Sequence, residues 1–311
     1  MTKIKCGITM GDPSGIGPEV ILKALGTHGL SKLADWTVIG DSWVLEKCQD
    51  ITIIDLQNVA RKGFAFGKVK VEYGKAAIEY LQKGLELIKA GRIDCLVTAP
   101  VNKEAVNLAG YLFKGQTEYI AKSFKVKDAV MLLFNKRLKV ALVTRHIPLQ
   151  NVSRSLSTMN IFKVISITAA SLFSLFGIKR PRLYVCGLNP HASDNGIIGN
   201  EEKKFIIPAI AMAKKKGIMI EGPFPADTIF MKAGDNKYDC VVCMYHDQGL
   251  IPLKLTGFQE AVNITLGLPF VRTSPGHGTA FNIAGKNQAD PNSMISAIKA
   301  AVLCTQNLKR A

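Results

Sequence analysis

Apolar residues fall along this chain in two rhythms. Short continuous runs, such as Val241-Val242-Cys243-Met244 and the LYVC of residues 183–186, have the signature of strands buried on both faces. Longer stretches repeat at helical spacing: Ala77, Ile78, Leu81, Leu85 and Ile88 share one face, and Gly91 stands where that helix would stop. The opening, KCGITMGDPSGIGPEVILKAL, reads as strand, glycine-rich loop and helix, with Pro18 suited to the first helical turn. WTVIGD adds a strand, and DCLVTAPVNKEA repeats strand, loop and helix. Two apolar runs within 129–150, separated by Asn135, Lys136 and Arg137, predict a hairpin. Helices are expected around 157–176 and in EEKKFIIPAIAMAKKKG, the second kinked at Pro208. This alternation predicts an α/β architecture with a largely parallel sheet.

At 311 residues and 48% hydrophobic, the chain can bury a full core, as two domains or one large α/β unit. The start, MTKIKCGITMGD, has too short an apolar segment for a signal peptide, and no run approaches membrane-spanning length. Seven cysteines scattered through apolar runs form no disulfide framework, and Cys240 and Cys243, inside one strand-like run, read as inert core thiols. A cytoplasmic protein with no membrane partner is expected. The net charge, 40 minus 24 or +16, raises nucleic acid as a partner. The lysines are scattered, however, and no aromatic-rich basic module accompanies them, so a solvated basic surface that draws in phosphorylated substrates is the expectation.

Three of the five histidines follow strand-like runs: His146 after KVALVTR, His191 after RLYVCGLNP and His246 after VVCMY. Ligands bind outside the carboxyl ends of strands in open α/β sheets, so polar residues placed there are site candidates. Each histidine alone reads as a loop or core residue with its hydrogen bonds satisfied. Three together, with carboxylates nearby, suit a divalent metal held by neutral imidazoles. Asp247 adjoins His246, and a proline-rich loop, GPFPADTIF, presents Asp227, which could equally be solvated. The loop of Gly11, Gly15 and Gly17 either cradles an anion or makes a tight turn, and it matches neither the Rossmann nor the ATPase phosphate-loop pattern. Thr98, Asn102 and Lys103 follow a strand, where a polar turn explains them equally well. Gln116, Thr117 and Glu118 open a helix that Thr117 would cap in the plainest reading.

The run TSPGHGTAFNIAGKNQADP resembles the dinucleotide-binding loop of the isocitrate and isopropylmalate dehydrogenase superfamily. That resemblance implies NAD or NADP contacts from His277, Gly278, Thr279 and Asn282, with Asp290 a further polar group. From GITMGDPSGIGPE through TAPVNK, TEYIA, GLNPHA, PADT, YHDQG and VNITLGLPFVRTS, nearly the whole chain resembles the 4-hydroxythreonine-4-phosphate dehydrogenase family. It implies two α/β/α domains, residues 1–110 with 250–311 on the nucleotide side and 111–249 carrying metal ligands and dimer contacts, with the active site in the interdomain cleft. It further implies a homodimer with a shared site, one divalent ion (zinc, magnesium or cobalt) on His146, His191 and His246, and a phosphorylated substrate held by Gln116, Thr117, Lys254, Asn263 and Arg272.

The chemistry so implied is oxidation of the secondary alcohol of 4-phosphooxy-L-threonine by NAD or NADP, then loss of carbon dioxide, yielding 3-amino-2-oxopropyl phosphate for pyridoxal phosphate biosynthesis. Lys254, Asp247 and Asp227 are the candidates for proton transfer and charge balance. One departure stands out: the family reads GHTE where this chain reads GQTE, so Gln116 is expected to offer an anion an uncharged amide donor. That substitution keeps open a paralogue acting on D-threonate or D-erythronate 4-phosphate. A rival of another class, a non-catalytic nucleic-acid binder, is opposed by the histidine triad and the nucleotide loop.

Overall fold

The computed structural model describes residues 3–30, 32–45, 51–232 and 237–311. Within them the strands are β1 (Ile4–Thr9), β2 (Ala34–Gly40), β3 (Thr52–Asp55), β4 (Cys95–Thr98), β5 (Val130–Phe134), β6 (Lys139–Leu142), β7 (Arg182–Cys186), β8 (Met219–Phe224), β9 (Cys240–Cys243), β10 (Val262–Leu266) and β11 (Val271–Pro275). The chain divides into two units: residues 1–127, 262–264 and 268–310 form the first, and 128–261 with 265–267 the second. The crossings therefore fall later than the expected 110 and 250. Packing explains both shifts. Phe113 and Tyr119 lie against Ile78 and Val106, which holds the helix Gln116–Ser123 in unit 1. Leu250 and Leu253, on the helix His246–Gly257, join the core of Val140, Leu142, Val241 and Cys243, which keeps that helix in unit 2.

In unit 1 the strand order is β3-β2-β1-β4-β11-β10, parallel except for β10, which pairs antiparallel with β11. In unit 2 the order is β5-β6-β9-β7-β8, where the expected hairpin is β5–β6 and the other pairs are parallel. Asn135 makes the hairpin turn, its Oδ1 accepting from the amides of Arg137 and Leu138 at 2.8 and 2.9 Å. Strands β4 and β9 are buried at every position, as their unbroken apolar runs predict.

The helical readings follow the same logic. Helix Val71–Lys89 buries Ala77, Ile78, Leu81 and Leu85, and it ends at Gly91, whose φ of 64° closes the last turn. Pro18 occupies the first turn of helix Gly17–Leu25. Ahead of Pro208, residues Glu202–Ile206 widen into a π-turn before helix Ile207–Lys215, which accommodates the ring that lacks an N–H. The helix His246–Gly257 has no counterpart in the sequence reading, because Gly249 and an internal Pro252 mask its periodicity. The six cysteines within the described residues are buried and free, and burial pushes the Cys240 thiol up to about 12, as expected of inert core groups. Among the described residues no single helix is long and apolar enough to cross a membrane.

Gly74 brings helix Val71–Lys89 against helix Lys103–Leu108: a Cβ there would strike the backbone of Ala105 and Val106. In an open helix, Gly→Ala would stabilise by about 1 kcal/mol. Here overpacking should reverse the sign, and Gly74→Ala is expected to cost roughly 1–3 kcal/mol in urea unfolding. A neutral or stabilising result would mean that the two helices part freely.

Candidate functional site

Unit 2 carries the histidines. β6 and β9 pair in parallel, and the chain leaves both at the same level, so His146 and His246 emerge together with ring centroids 5.6 Å apart. They line a pocket of about 470 Å³ with Arg145, Ile147, Leu149, Val152, Tyr245 and Asp247. Asp247 Oδ1 lies 2.7 Å from His246 Nδ1, which leaves Nε2 as the free ring nitrogen. That is the arrangement of a carboxylate orienting a metal-binding imidazole. His191 does not line this pocket, and among the described residues no three His, Cys, Asp or Glu side chains of one chain are grouped to hold an ion.

The exposed His191 begins a left-handed turn, in which His191, Ala192, Ser193, Asp194 and Asn195 all have φ between 45° and 70°. Nothing in the local sequence announces so rare a run. Asp227, exposed on the short helix Ala226–Ile229, and Lys254, exposed with Nζ 5.5 Å from the Phe258 ring centroid, also lie outside the pocket lining.

Unit 1 carries the polar groups of β4, β10 and β11. Arg272, 2% exposed and the second residue of β11, donates from Nη2 to Thr98 Oγ1 at 2.6 Å and from Nη1 to Thr117 Oγ1 at 3.4 Å. Burial pulls its pKa down to about 10 and the charge of Glu118 opposes the fall, so it stays cationic near neutral pH. Thr117 is thus no helix cap; Gly115 holds that place and the hydroxyl serves the guanidinium. Gln116 donates from Nε2 to the Ala99 carbonyl at 3.0 Å, and its Oε1 is buried without a hydrogen-bond partner. One of the expected amide's two N–H donors is therefore engaged, and its oxygen is an acceptor without a partner. Asn263 Oδ1, on β10, is likewise buried and unpartnered.

The 277–291 loop follows β11. His277 Nε2 is buried without a partner, and burial holds this imidazole below its usual pKa, hence neutral near pH 7. Gly278 is exposed with nothing within 4 Å of where a Cβ would stand, and Asn282 is exposed. These groups fit a nucleotide lying on the loop: an open backbone approach and one unsatisfied ring nitrogen. Asp290 serves the fold instead, accepting from the Asn292 amide at 2.9 Å. Thr279 braces the first glycine loop, its carbonyl accepting from Ile16 N at 3.0 Å. That loop is a tight turn with its amides engaged: Asp12 N donates to Pro100 O, Ser14 N to Asp12 Oδ1 and Gly15 N to Asp12 O. Gly11, at φ 73°, packs on the Pro100 carbonyl, where a Cβ would clash.

Two α/β units with polar groups massed beyond buried parallel strands define a protein of the isocitrate dehydrogenase class of folds. Isocitrate dehydrogenase from Methylococcus capsulatus shares that fold with TM-score 0.51 and 14% identity, over 99% of this chain and 88% of that one. The chain belongs to the family described as pyridoxal phosphate biosynthetic protein PdxA, whose model matches residues 10–301. It is 43% identical to 4-hydroxythreonine-4-phosphate dehydrogenase of Desulforapulum autotrophicum, over 96% of this chain and 94% of that protein. It is 42% identical to D-threonate 4-phosphate dehydrogenase of Salmonella typhimurium, over 95% and 97%. The crystal structure of 4-hydroxythreonine-4-phosphate dehydrogenase from Klebsiella pneumoniae matches with TM-score 0.88 and 39% identity, over 98% and 99%. These relatives mark the chain as a dehydrogenase, and their names divide over the substrate.

Sequence reasoning missed Asp12. Its carboxyl is fully buried, with Oδ2 unpartnered, and burial raises its pKa from 3.8 to about 6 against the backbone amides of Ser14 and Asn102. Its place directly after β1 was the available signal. Between about pH 4 and pH 6 the folded chain holds a proton that the unfolded chain releases. This carboxyl's contribution to stability is therefore full below pH 4 and is lost as pH rises through 6. Asp12→Asn should be more stable than the parent near pH 7.5 by up to about 3 kcal/mol, with the gap closing near pH 4. Urea unfolding of both proteins at the two pH values checks this, and a gap independent of pH would refute it.

Proposed function

We propose that the chain oxidises the secondary alcohol of 4-phosphooxy-L-threonine with NAD or NADP, and that the resulting β-keto acid loses carbon dioxide to give 3-amino-2-oxopropyl phosphate. The observation that carries this reading is the buried Arg272 with the hydroxyls of Thr98 and Thr117. A desolvated guanidinium flanked by hydroxyl groups suits a phosphate, which it meets with charge-assisted hydrogen bonds. Gln116 Oε1, an unpartnered acceptor, suits a donor on the substrate such as its ammonium group. The His277, Gly278, Thr279 and Asn282 loop would hold the adenosine part of NAD or NADP, and the cofactor would supply the acceptor for the hydride of the carbinol carbon. The hydroxyl proton passes to a base. In the second step the bond to the carboxylate breaks, its electron pair forms an enolate, and a proton then returns to carbon. Asp247, Asp227 and Lys254 are the side chains proposed for these proton movements.

A divalent ion (zinc, magnesium or cobalt) on His146, His191 and His246 would supply Lewis acidity to the alcohol oxygen. Two of the three ligands meet within one chain and the third does not, so we read the centre as completed across a homodimer. Exposed Ile147, Leu149, Ile197, Ile198, Ile251 and Leu255 in the histidine-bearing segments support a covering second copy. His191→Ala and His246→Ala, each inactive alone, should then regain activity when unfolded and refolded together. A fully active monomer in light scattering would remove this reading.

The second reading is D-threonate 4-phosphate as substrate. It is favoured by the relative from Salmonella typhimurium, and a hydroxyl in place of the ammonium also satisfies the Gln116 acceptor. Steady-state kinetics of the parent and Gln116→His on 4-phosphooxy-L-threonine and on D-threonate and D-erythronate 4-phosphates decide between them. The parent is expected to prefer the first, with Gln116→His changing its kcat/KM by about tenfold. Preference of the parent for either acid phosphate, reversed in the variant, would overturn the substrate and mark a paralogue.

A further inference from the structure

We infer that Gln248 is a positioning residue, joining the three histidine-bearing segments of one chain through its two amide atoms. Gln248 is 6% exposed in the first turn of helix His246–Gly257. Its Oε1 accepts from Met244 N at 2.6 Å, and its Nε2 donates to Gly187 O at 2.7 Å. The carbonyl of the same Met244 accepts from Thr144 N at 3.1 Å and from Thr144 Oγ1 at 2.7 Å. The Met244 backbone, two residues before His246, is therefore gripped at its N–H by Gln248 and at its carbonyl by Thr144, two residues before His146. Through Gly187 the same amide reaches the root of the turn that bears His191.

That root needs holding. Each residue of the left-handed turn costs on the order of 1–2 kcal/mol relative to ordinary helical backbone, so the conformation persists only where its surroundings impose it. On one side Glu202, 1% exposed, accepts from the amides of Leu188 and Asn189 at 2.7 and 2.8 Å. On the other, Gly187 packs so closely on Ala192 that a Cβ would stand 2.8 Å from its Cα, and its carbonyl is held by Gln248. The joint requires a side chain that accepts at one end and donates at the other, and at this length only glutamine does both. Glutamate would keep the Met244 bond and set a carboxylate against the Gly187 carbonyl; methionine would leave both backbone groups unsatisfied.

This inference rests on the reading of the histidines as metal ligands, and cobalt binding by chelator-treated protein separates the two. The parent, Gln248→Glu, Gln248→Met and, as a control, Leu172→Ala from the core face of helix Thr158–Ser174 are titrated with Co²⁺. The readouts are the visible absorption spectrum, the Kd and the thermal unfolding of the metal-free forms. Both Gln248 variants should bind cobalt about 10- to 100-fold more weakly with an altered spectrum, as happens when groups that orient metal ligands are removed. Leu172→Ala should lose stability with its cobalt Kd and spectrum unchanged. A parent that binds no cobalt defeats the metal reading and this inference with it. A parent that binds, beside Gln248 variants of unchanged Kd and spectrum, defeats this inference alone. Should both Gln248 variants fail to fold, Thr144→Val, which removes one hydroxyl from the joint and keeps its backbone bond, carries the same expectation, a weaker Kd and altered spectrum supporting it and unchanged values overturning it.

Discussion

Burial of whole strands on both faces is the constraint from which the placement of chemistry in this chain follows. In β4 and β9 every side chain is buried, so neither strand has a position at which a solvent-facing functional group can stand. Polar groups must gather where the ladder of hydrogen bonds stops, and they gather within a few residues of the carboxyl ends: Asp12 after β1, Thr98 closing β4, His146 after β6, His191 after β7 and His246 after β9. Parallel pairing adds the second half of the effect. Strands that run side by side in the same direction deliver their exits to the same edge, which is why residues a hundred positions apart, His146 and His246, meet.

The features legible in the sequence are those set by local periodicity and turn chemistry. The helix stopped by Gly91, the hairpin turned at Asn135 and the helix begun at Pro18 each rest on residues a few positions apart. What sequence could not yield depends on partners distant along the chain. The left-handed turn at His191–Asn195 is unfavourable by itself and exists because Gly187, Glu202 and Gln248 enclose its root. Asp12 looks like any turn aspartate until its burial is seen. The histidines were readable as strand-end residues, but that His146 and His246 meet within one chain is decided by strand order, β6 beside β9, and His191, which opens the left-handed turn after β7, does not line their pocket. Thr117 shows the same limit, for a cap and an arginine partner look identical in a sequence.

Net charge is a poor guide to recognition here. The chain carries +16, yet the groups proposed to meet the substrate are the buried guanidinium of Arg272 and the amides of Gln116 and Asn263, whose oxygens are buried. Exposed lysines act on an anion through water, where a unit charge at 4 Å is worth about 1 kcal/mol and is screened further by salt. A buried Arg272 acts in a lower dielectric and in a fixed direction. Its side chain would also lose little freedom to a ligand, since the hydroxyls of Thr98 and Thr117 already hold it.

The glycine-rich opening loop illustrates how hydrogen-bond accounting decides between two readings of one motif. A loop that cradles an anion must keep several amides free and pointed at it. Here the amides of Asp12, Ser14, Gly15 and Ile16 are all engaged, to Pro100, to Asp12 itself and to Thr279. The glycines serve close approach instead: Gly11 rests on the Pro100 carbonyl and Gly15 on Thr279, in the loop whose open backbone at Gly278 suits a nucleotide. Lys23 and Glu19, from the helix this loop begins, reach the same segment, bonding Asn287 O, Ala289 O and Ala289 N. The first loop thus holds the second in shape, a role that a phosphate-loop motif search would not assign to it.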